Sequence, residues 1–250
     1  STNFNYQNII MTVGAASGLN IVLKSIINLD DEVIVFSPYF SEYNNYIHNY
    51  DGKVIVVSPN TENFEPNLIE FEKKISEKTK AVIINTPNNP TGVIYSEETI
   101  IKLTNIMKKK EKEFSHQIYL ISDEPYRELV YEGDEVPYIT KYYNNTFIVY
   151  SYSKSLSLPG ERIGYVVIPN ELEESREMIE AVTIANRIIG CVNAPSLMQK
   201  VIPYCLDLKT DIESYNKNRN LLYSILTENN FKCIKPQGAF YLFVKTPIDD

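Results

Sequence analysis

Cysteine is scarce. The chain has three, Cys191, Cys205 and Cys233, an odd number without CxxC spacing. That excludes a disulfide framework and a cysteine-built metal centre, and free thiols in a reducing, cytoplasmic setting are expected. The two histidines, His48 and His116, stand isolated and read as structural or solvated side chains. No apolar run approaches the length of a membrane span and no signal peptide precedes the first expected strand, so no membrane partner is expected. Positive charge is also short, with Lys+Arg 24 against Asp+Glu 32 and a net charge of −8. A surface of that sign argues against nucleic acid or anionic lipid as a partner. The one basic run, Lys108-Lys109-Lys110-Glu111-Lys112, closes an expected helix, where cations complement the helix dipole. There is neither a GxGxxG fingerprint nor a P-loop, no internal repeat and no flexible linker.

What is present is an ordinary globular composition, 44% hydrophobic and 22% charged over 250 residues, enough for one large domain or two smaller ones. Short β-branched runs alternate with helix-like segments, which points to crossover units and a mostly parallel sheet. Strands are expected at 9–13, 32–36, 53–57, 81–85, 118–122, 147–150 and 163–168. Most are apolar without strict alternation, as strands covered on both faces should be. The connection into the last is too poor in helix for a crossover, so that strand is expected to run antiparallel. The fold class expected is therefore a three-layer α/β/α sandwich on a seven-stranded, mostly parallel sheet. A helix is expected from Ser96 to Lys112, capped by Ser96, and a long one over 207–228 on a Leu208, Ile212, Tyr215, Leu222, Leu226 stripe. Strand-like runs at 232–234 and 239–244 follow it. The expected organisation is a large domain over 1–208 and the start of a second over 209–250.

Five unusual clusters fall at strand ends, where ligands of open α/β sheets bind. Thr12-Val13-Gly14-Ala15-Ala16-Ser17-Gly18 runs from a strand into a helix, and its small residues let backbone N–H groups approach an anion. Taken alone it is equally a plain tight turn. Ser37-Pro38-Tyr39-Phe40 leaves aromatic rings at the mouth of the sheet, where one could stack on a flat ligand. Asn85-Thr86-Pro87-Asn88-Asn89-Pro90-Thr91-Gly92 makes a rigid polar loop with amide donors, and Asn89-Pro90 is a candidate cis bond. Asp123, in Ile121-Ser122-Asp123-Glu124-Pro125-Tyr126, follows an apolar strand and needs a cationic partner or several hydrogen bonds there. The fifth cluster, Ser151-Tyr152-Ser153-Lys154-Ser155-Leu156-Ser157-Leu158-Pro159-Gly160-Glu161-Arg162, sets one lysine among four serines with an arginine eight residues on. A partly desolvated lysine is a usable amine nucleophile for Schiff-base chemistry, and hydroxyls with a guanidinium suit a phosphate. On its own this loop is as easily a serine-rich surface loop. Together, the five describe a pyridoxal 5′-phosphate site.

In NNPTG, SDEPY and SxSKxxxxPGxRIGY, at these separations, the chain resembles fold-type I, class I/II aminotransferases, the aspartate aminotransferase superfamily. The resemblance runs from about Ile9 to Phe243. It implies an enzyme that moves an amino group between an amino acid and a 2-oxo acid. It further implies Lys154 as Schiff-base lysine and proton carrier, Asp123 on the pyridine nitrogen, and Tyr126 and Asn89 on the ring oxygen. Phe40 would stack, and Gly14, Ala15, Ala16, Ser151, Ser153 and Arg162 would form the phosphate cup. Many relatives carry a hydroxyl or amine where Ala16 stands, so that contact is expected from backbone. Asn193-Ala194-Pro195 resembles the segment near the family's dimer interface, implying a homodimer. Pro236-Gln237-Gly238-Ala239-Phe240-Tyr241 resembles the opening of its small domain. The family's arginine for the substrate carboxylate, and its N-terminal arm, would lie outside this chain, which lacks an initiator Met and reads as part of a longer enzyme. Held as alternatives are C–S lyases, cyclopropane-carboxylate synthases, and the cofactor-sensing domains of transcription regulators.

Overall fold

β-Branched and aliphatic runs with no polar interruption can be strands only if both faces are covered, and the chain supplies the cover between them. The computed structural model describes residues 4–248. Strand β1 (Ile9–Thr12) leads into helix α1 (Gly14–Ile26), β2 (Glu32–Phe36), α2 (Glu42–His48), β3 (Lys53–Val57), α3 (Leu68–Lys74), β4 (Thr79–Asn85) and α4 (Glu97–Phe114). Then come β5 (Tyr119–Asp123), β6 (Thr146–Ser151), the single turn α5 (Tyr152–Ser155), β7 (Gly164–Val167), α6 (Ser175–Ile188) and α7 (Ser196–Val201). The chain closes with α8 (Ile212–Glu228), β8 (Lys232–Cys233) and β9 (Val244–Lys245).

Strands β1 to β7 form one sheet in the order β1-β7-β6-β5-β4-β2-β3. β7 runs antiparallel to both neighbours and the other pairings are parallel, as expected for the strand reached without a crossover helix. Alternate residues of each strand go to opposite faces. Val33, Val35 and Ile83 join Leu19, Val22 and Ile47 under α1 and α2, and the same core takes Val182 of α6. Ile34, Phe36 and Val82 join Phe71, Ile100 and Leu103 under α3 and α4. This is the three-layer sandwich expected from the sequence. Among the described residues no helix is long and apolar enough to cross a membrane.

The helix starting after Ser96 does carry that cap: the Ser96 hydroxyl accepts from Thr99 N at 3.3 Å. It runs to Phe114, beyond the expected Lys112, and stops at Ser115 in the left-handed conformation, φ 57°. Two expectations near the C-terminus need correction. The long helix begins at Ile212, not 207, because the Asp211 carboxylate accepts from Ser214 N at 3.0 Å and caps it there. Leu208 extends the apolar period in sequence but lies before the helix. The expected strand at 239–244 shrinks to β9, paired with β8. Ala239 is left-handed, φ 56°, and donates its N–H to Leu129 O at 2.9 Å, so 239–243 is drawn towards the large sheet.

Register places the site. Asn85 of β4 lies level with Asp123 of β5, and Asp123 with Val149 of β6. On the other side Gly164 pairs with both Thr12 and Ser151. The ends of four strands and the residue entering α1 therefore meet at one edge.

Candidate active site

At the end of β6, Ser151 caps α5: its Oγ accepts from Ser153 N at 3.2 Å and donates to Ser153 Oγ at 2.9 Å. Arg162, itself left-handed at φ 51°, turns its guanidinium back over this turn. Nη1 donates to Pro159 O at 2.9 Å and to Ser153 Oγ at 3.5 Å, and Nη2 donates to Val13 O at 3.4 Å. Gly14 must be glycine here. Its φ is +76°, and a Cβ would stand 2.7 Å from Arg162 Nη2. Helix α1 has no side-chain cap and no acidic residue in its first turn. Its first N–H groups, two serine hydroxyls and a guanidinium thus face one another, a donor set suited to a phosphate.

Asp123 is 4% exposed. Its Oδ2 accepts from the Tyr43 hydroxyl at 2.6 Å, while Oδ1 is buried with no partner. Burial pushes this carboxyl up to about 7, the Tyr43 hydrogen bond opposing the rise and Glu124 adding to it. An orphaned carboxylate oxygen in a ligand-sized space asks for a charged N–H donor. Asn85 Nδ2 donates to the Asp123 carbonyl at 2.8 Å, and Asn85 Oδ1 accepts from Asn89 N at 2.6 Å, fixing the polar loop to the strand. Asn89-Pro90 is cis, as are Ser37-Pro38 and Thr86-Pro87. Tyr126 OH accepts from Asn89 Nδ2 at 3.5 Å and lies 2.7 Å from Tyr241 OH. Phe40 sits edge-on to Tyr43, centroids 5.6 Å apart.

Ala15, Ala16, Phe40, Asn89, Asp123, Tyr126, Ser151, Ser153, Lys154 and Arg162 line one cavity of about 260 Å³. Gly14 stands just behind it, against Arg162. The structure thus gathers the residues picked from five separate stretches. A larger cleft of about 710 Å³, beside Ser157, Cys205 and Asp211, is lined by none of them. Sequence reasoning missed Tyr43, Tyr46 and Tyr241 as members of the site, and it placed Asn85 in the polar loop without giving it a role of its own. Tyr43 falls one helical turn after Phe40, which was the available signal. Tyr241 had none, since it arrives by a tertiary contact. The residues present fit pyridoxal 5′-phosphate on geometry alone: a donor-rich cup at one end, an unpartnered buried carboxylate oxygen, a lysine, an aromatic ring, and hydroxyl and amide donors.

The family described as aminotransferase class I and II matches residues 1–248. The chain belongs to that family. Among curated relatives, the aspartate aminotransferase of Thermotoga maritima is 32% identical over 245 residues, covering 97% of this chain and 62% of the relative. The aspartate/prephenate aminotransferase of Thermus thermophilus is 30% identical over 240 residues, 95% of this chain and 60% of the relative. An aminotransferase crystal structure from Eubacterium rectale superimposes with a TM-score of 0.98 at 49% identity, over 100% of this chain and 63% of that one. The Thermotoga maritima aspartate aminotransferase structure gives a TM-score of 0.87 at 33% identity, over 99% of this chain and 64% of that one. The chain spans about three-fifths of the length of these family members.

Proposed function

We propose that this chain supplies the cofactor-binding part of a pyridoxal 5′-phosphate-dependent aminotransferase acting between an amino acid and a 2-oxo acid. The observation that carries the reading is the buried, unpartnered Oδ1 of Asp123 in the cavity that also holds Lys154 and the Ser151–Ser153–Arg162 cup. Family membership supports it, and the relatives' names make aspartate and prephenate the first substrates to test.

Arg162, Ser151, Ser153 and the N–H groups of Gly14, Ala15 and Ala16 would hold the phosphate. Phe40 would cover one ring face, and Tyr126 and Asn89 would donate to the ring oxygen. Asp123 would keep a proton on the ring nitrogen, which its raised affinity for positive charge in a dry site favours. When bound, the cofactor supplies a covalent handle for amines and a sink for the electron pair of the α C–H bond. Lys154 Nζ would carry the substrate's α-proton, acting as general base and then as acid.

The division into a domain over 1–208 and the start of another over 209–250 belongs to this proposal, supported by the separate β8–β9 sheet. So does a homodimer. Ile184, Ile188, Val192, Leu197 and Tyr204 expose apolar surface around the Asn193-Ala194-Pro195 segment. A cytoplasmic location suits the free thiols of Cys191, Cys205 and Cys233.

Borohydride treatment after incubation with pyridoxal phosphate tests the reading directly. One pyridoxyl group is expected on the peptide containing Lys154. Labelling that persists unchanged in Lys154→Ala would refute the assignment.

A further inference from the structure

Helix α8 buries one side chain among its described residues, and it is a charged one: Arg219, 8% exposed. Its guanidinium lies over the Tyr131 ring, 4.3 Å from the centroid. Nη1 donates to Pro236 O at 2.6 Å, and Nη2 donates to Glu132 Oε1 and Asn216 Oδ1, each at 2.6 Å. One turn earlier on the same helix face, Tyr215 stacks on Phe240, centroids 5.8 Å apart and planes 23° apart. The helix therefore grips residues 236–241 at both ends. Between the grips, Gln237 N and Gly238 N donate to Gly92 O and Ala239 N donates to Leu129 O, all at 2.9 Å. The approach is so close that a Cβ on Gly92 would stand 2.5 Å from Pro236 Cβ. At the far end the strap enters the site. Lys154 Nζ lies 5.2 Å from the Phe240 ring centroid, and Tyr241 OH lies 2.7 Å from Tyr126 OH.

Taking a guanidinium out of water is costly even with the Glu132 carboxylate 2.6 Å away to pair it, and an aliphatic side chain would fill the space without that cost. The planar fork offers what an aliphatic cannot, several directed bonds that fix where the strap lies. Tyr126 OH already accepts from Asn89 Nδ2. Either hydroxyl can donate in the Tyr126–Tyr241 pair; when a ligand acceptor takes the Tyr126 proton, Tyr241 is the one left to donate, and the Tyr126 oxygen then accepts twice. We propose that Arg219 is a positioning residue: through the strap at 236–241 it holds Tyr241 against Tyr126 and so aims the Tyr126 proton at the bound ligand. The purpose of that aim rests on the cofactor reading above.

The test compares wild type, Arg219→Met, Tyr241→Phe and the double variant. Without cofactor, hydrogen–deuterium exchange should show residues 237–239 losing protection in Arg219→Met while the β5–β6 ladder is unchanged. Arg219→Lys should do the same, since it keeps the charge but not the fork, and it serves where Arg219→Met does not fold. Each single change should weaken pyridoxal phosphate binding about 3- to 10-fold, the scale of one lost hydrogen bond, and the double variant should be no weaker than the worse single. Unchanged protection at 237–239, or effects on binding that add, would overturn the proposal. A wild-type protein that binds no pyridoxal phosphate would instead overturn the cofactor reading, whatever the exchange shows.

Discussion

Asp123 and Glu124 are neighbours in sequence, both almost fully buried, and they enter different cavities. Glu124 lies in the cleft lined by Arg127, Glu128 and Tyr138. Its Oε2 accepts from Arg127 Nη1 at 2.6 Å and its Oε1 from the Ser122 hydroxyl at 2.8 Å. Burial pushes this carboxyl up, and the guanidinium and hydroxyl pull against it. Arg127 is held in turn by Val136 O at 2.9 Å and by the Tyr138 ring, 4.0 Å from the centroid. Asp123 has the same burial and one partner fewer, Tyr43 alone on Oδ2. A carboxylate that serves the fold is satisfied within the fold. One kept short of a partner is costly to fold around while it is ionised, a cost that protonation or a cationic partner offsets.

The sharpest way to break the contrast is to strip the satisfied carboxylate. Arg127→Ala leaves Glu124 buried without its counter-ion and should cost about 3–5 kcal/mol in denaturant unfolding, whether or not pyridoxal phosphate is present. A loss that appears only with cofactor would place Glu124 in the site instead. Next is Tyr43→Phe, which removes the one hydrogen bond that steadies ionised Asp123. Because that bond holds the Asp123 carboxyl down, its loss should raise the carboxyl's pH midpoint above the present value. It should also cost about 1.5–3 kcal/mol at pH 8, where Asp123 is ionised, and less at pH 5, where it is protonated. Equal losses at the two pH values would contradict the pairing. Smallest is Ser122→Ala. Glu124 keeps Arg127, so about 1 kcal/mol should be lost in the same unfolding assay, with pyridoxal phosphate affinity unchanged.

The difference between the two carboxylates was half visible in the sequence. A carboxylate at the end of an apolar strand is conspicuous, and so is a lysine among serines with an arginine eight residues on. Those signals are local, because Asp123 and Ser151 each close a strand and Gly14 opens the helix that follows one. Tyr43, which distinguishes Asp123 from Glu124, is brought across the sheet by the packing of α2 and leaves no trace near Asp123. Tyr241 was hidden for a related reason: 239–244 has the composition of a strand, and only the tie between 237–239 and the backbone at Gly92 and Leu129 makes it a strap. The early start expected for α8 came from Leu208, which continues the apolar period. The capping carboxylate of Asp211 outweighs it.

On the proposed function, Asp123 Oδ1 is held open, at a cost, for a cationic ring nitrogen. Its carboxyl sits at about 7 in the fold against an ordinary value of 3.8. The folded protein then holds that proton more tightly than the unfolded chain does. Stability from this group is fullest at low pH and falls as the pH rises through about 7. The decisive measurement is thermal unfolding of wild type and Asp123→Asn at pH 5 and pH 8, with and without saturating pyridoxal phosphate. Without cofactor, Asp123→Asn should melt higher at pH 8, by several degrees at about 2–4 °C per kcal/mol, and the difference should shrink at pH 5. With cofactor the order should reverse, wild type gaining more. An Asp123→Asn variant that melts lower than wild type without cofactor at pH 8, or that gains as much from pyridoxal phosphate, would contradict the account.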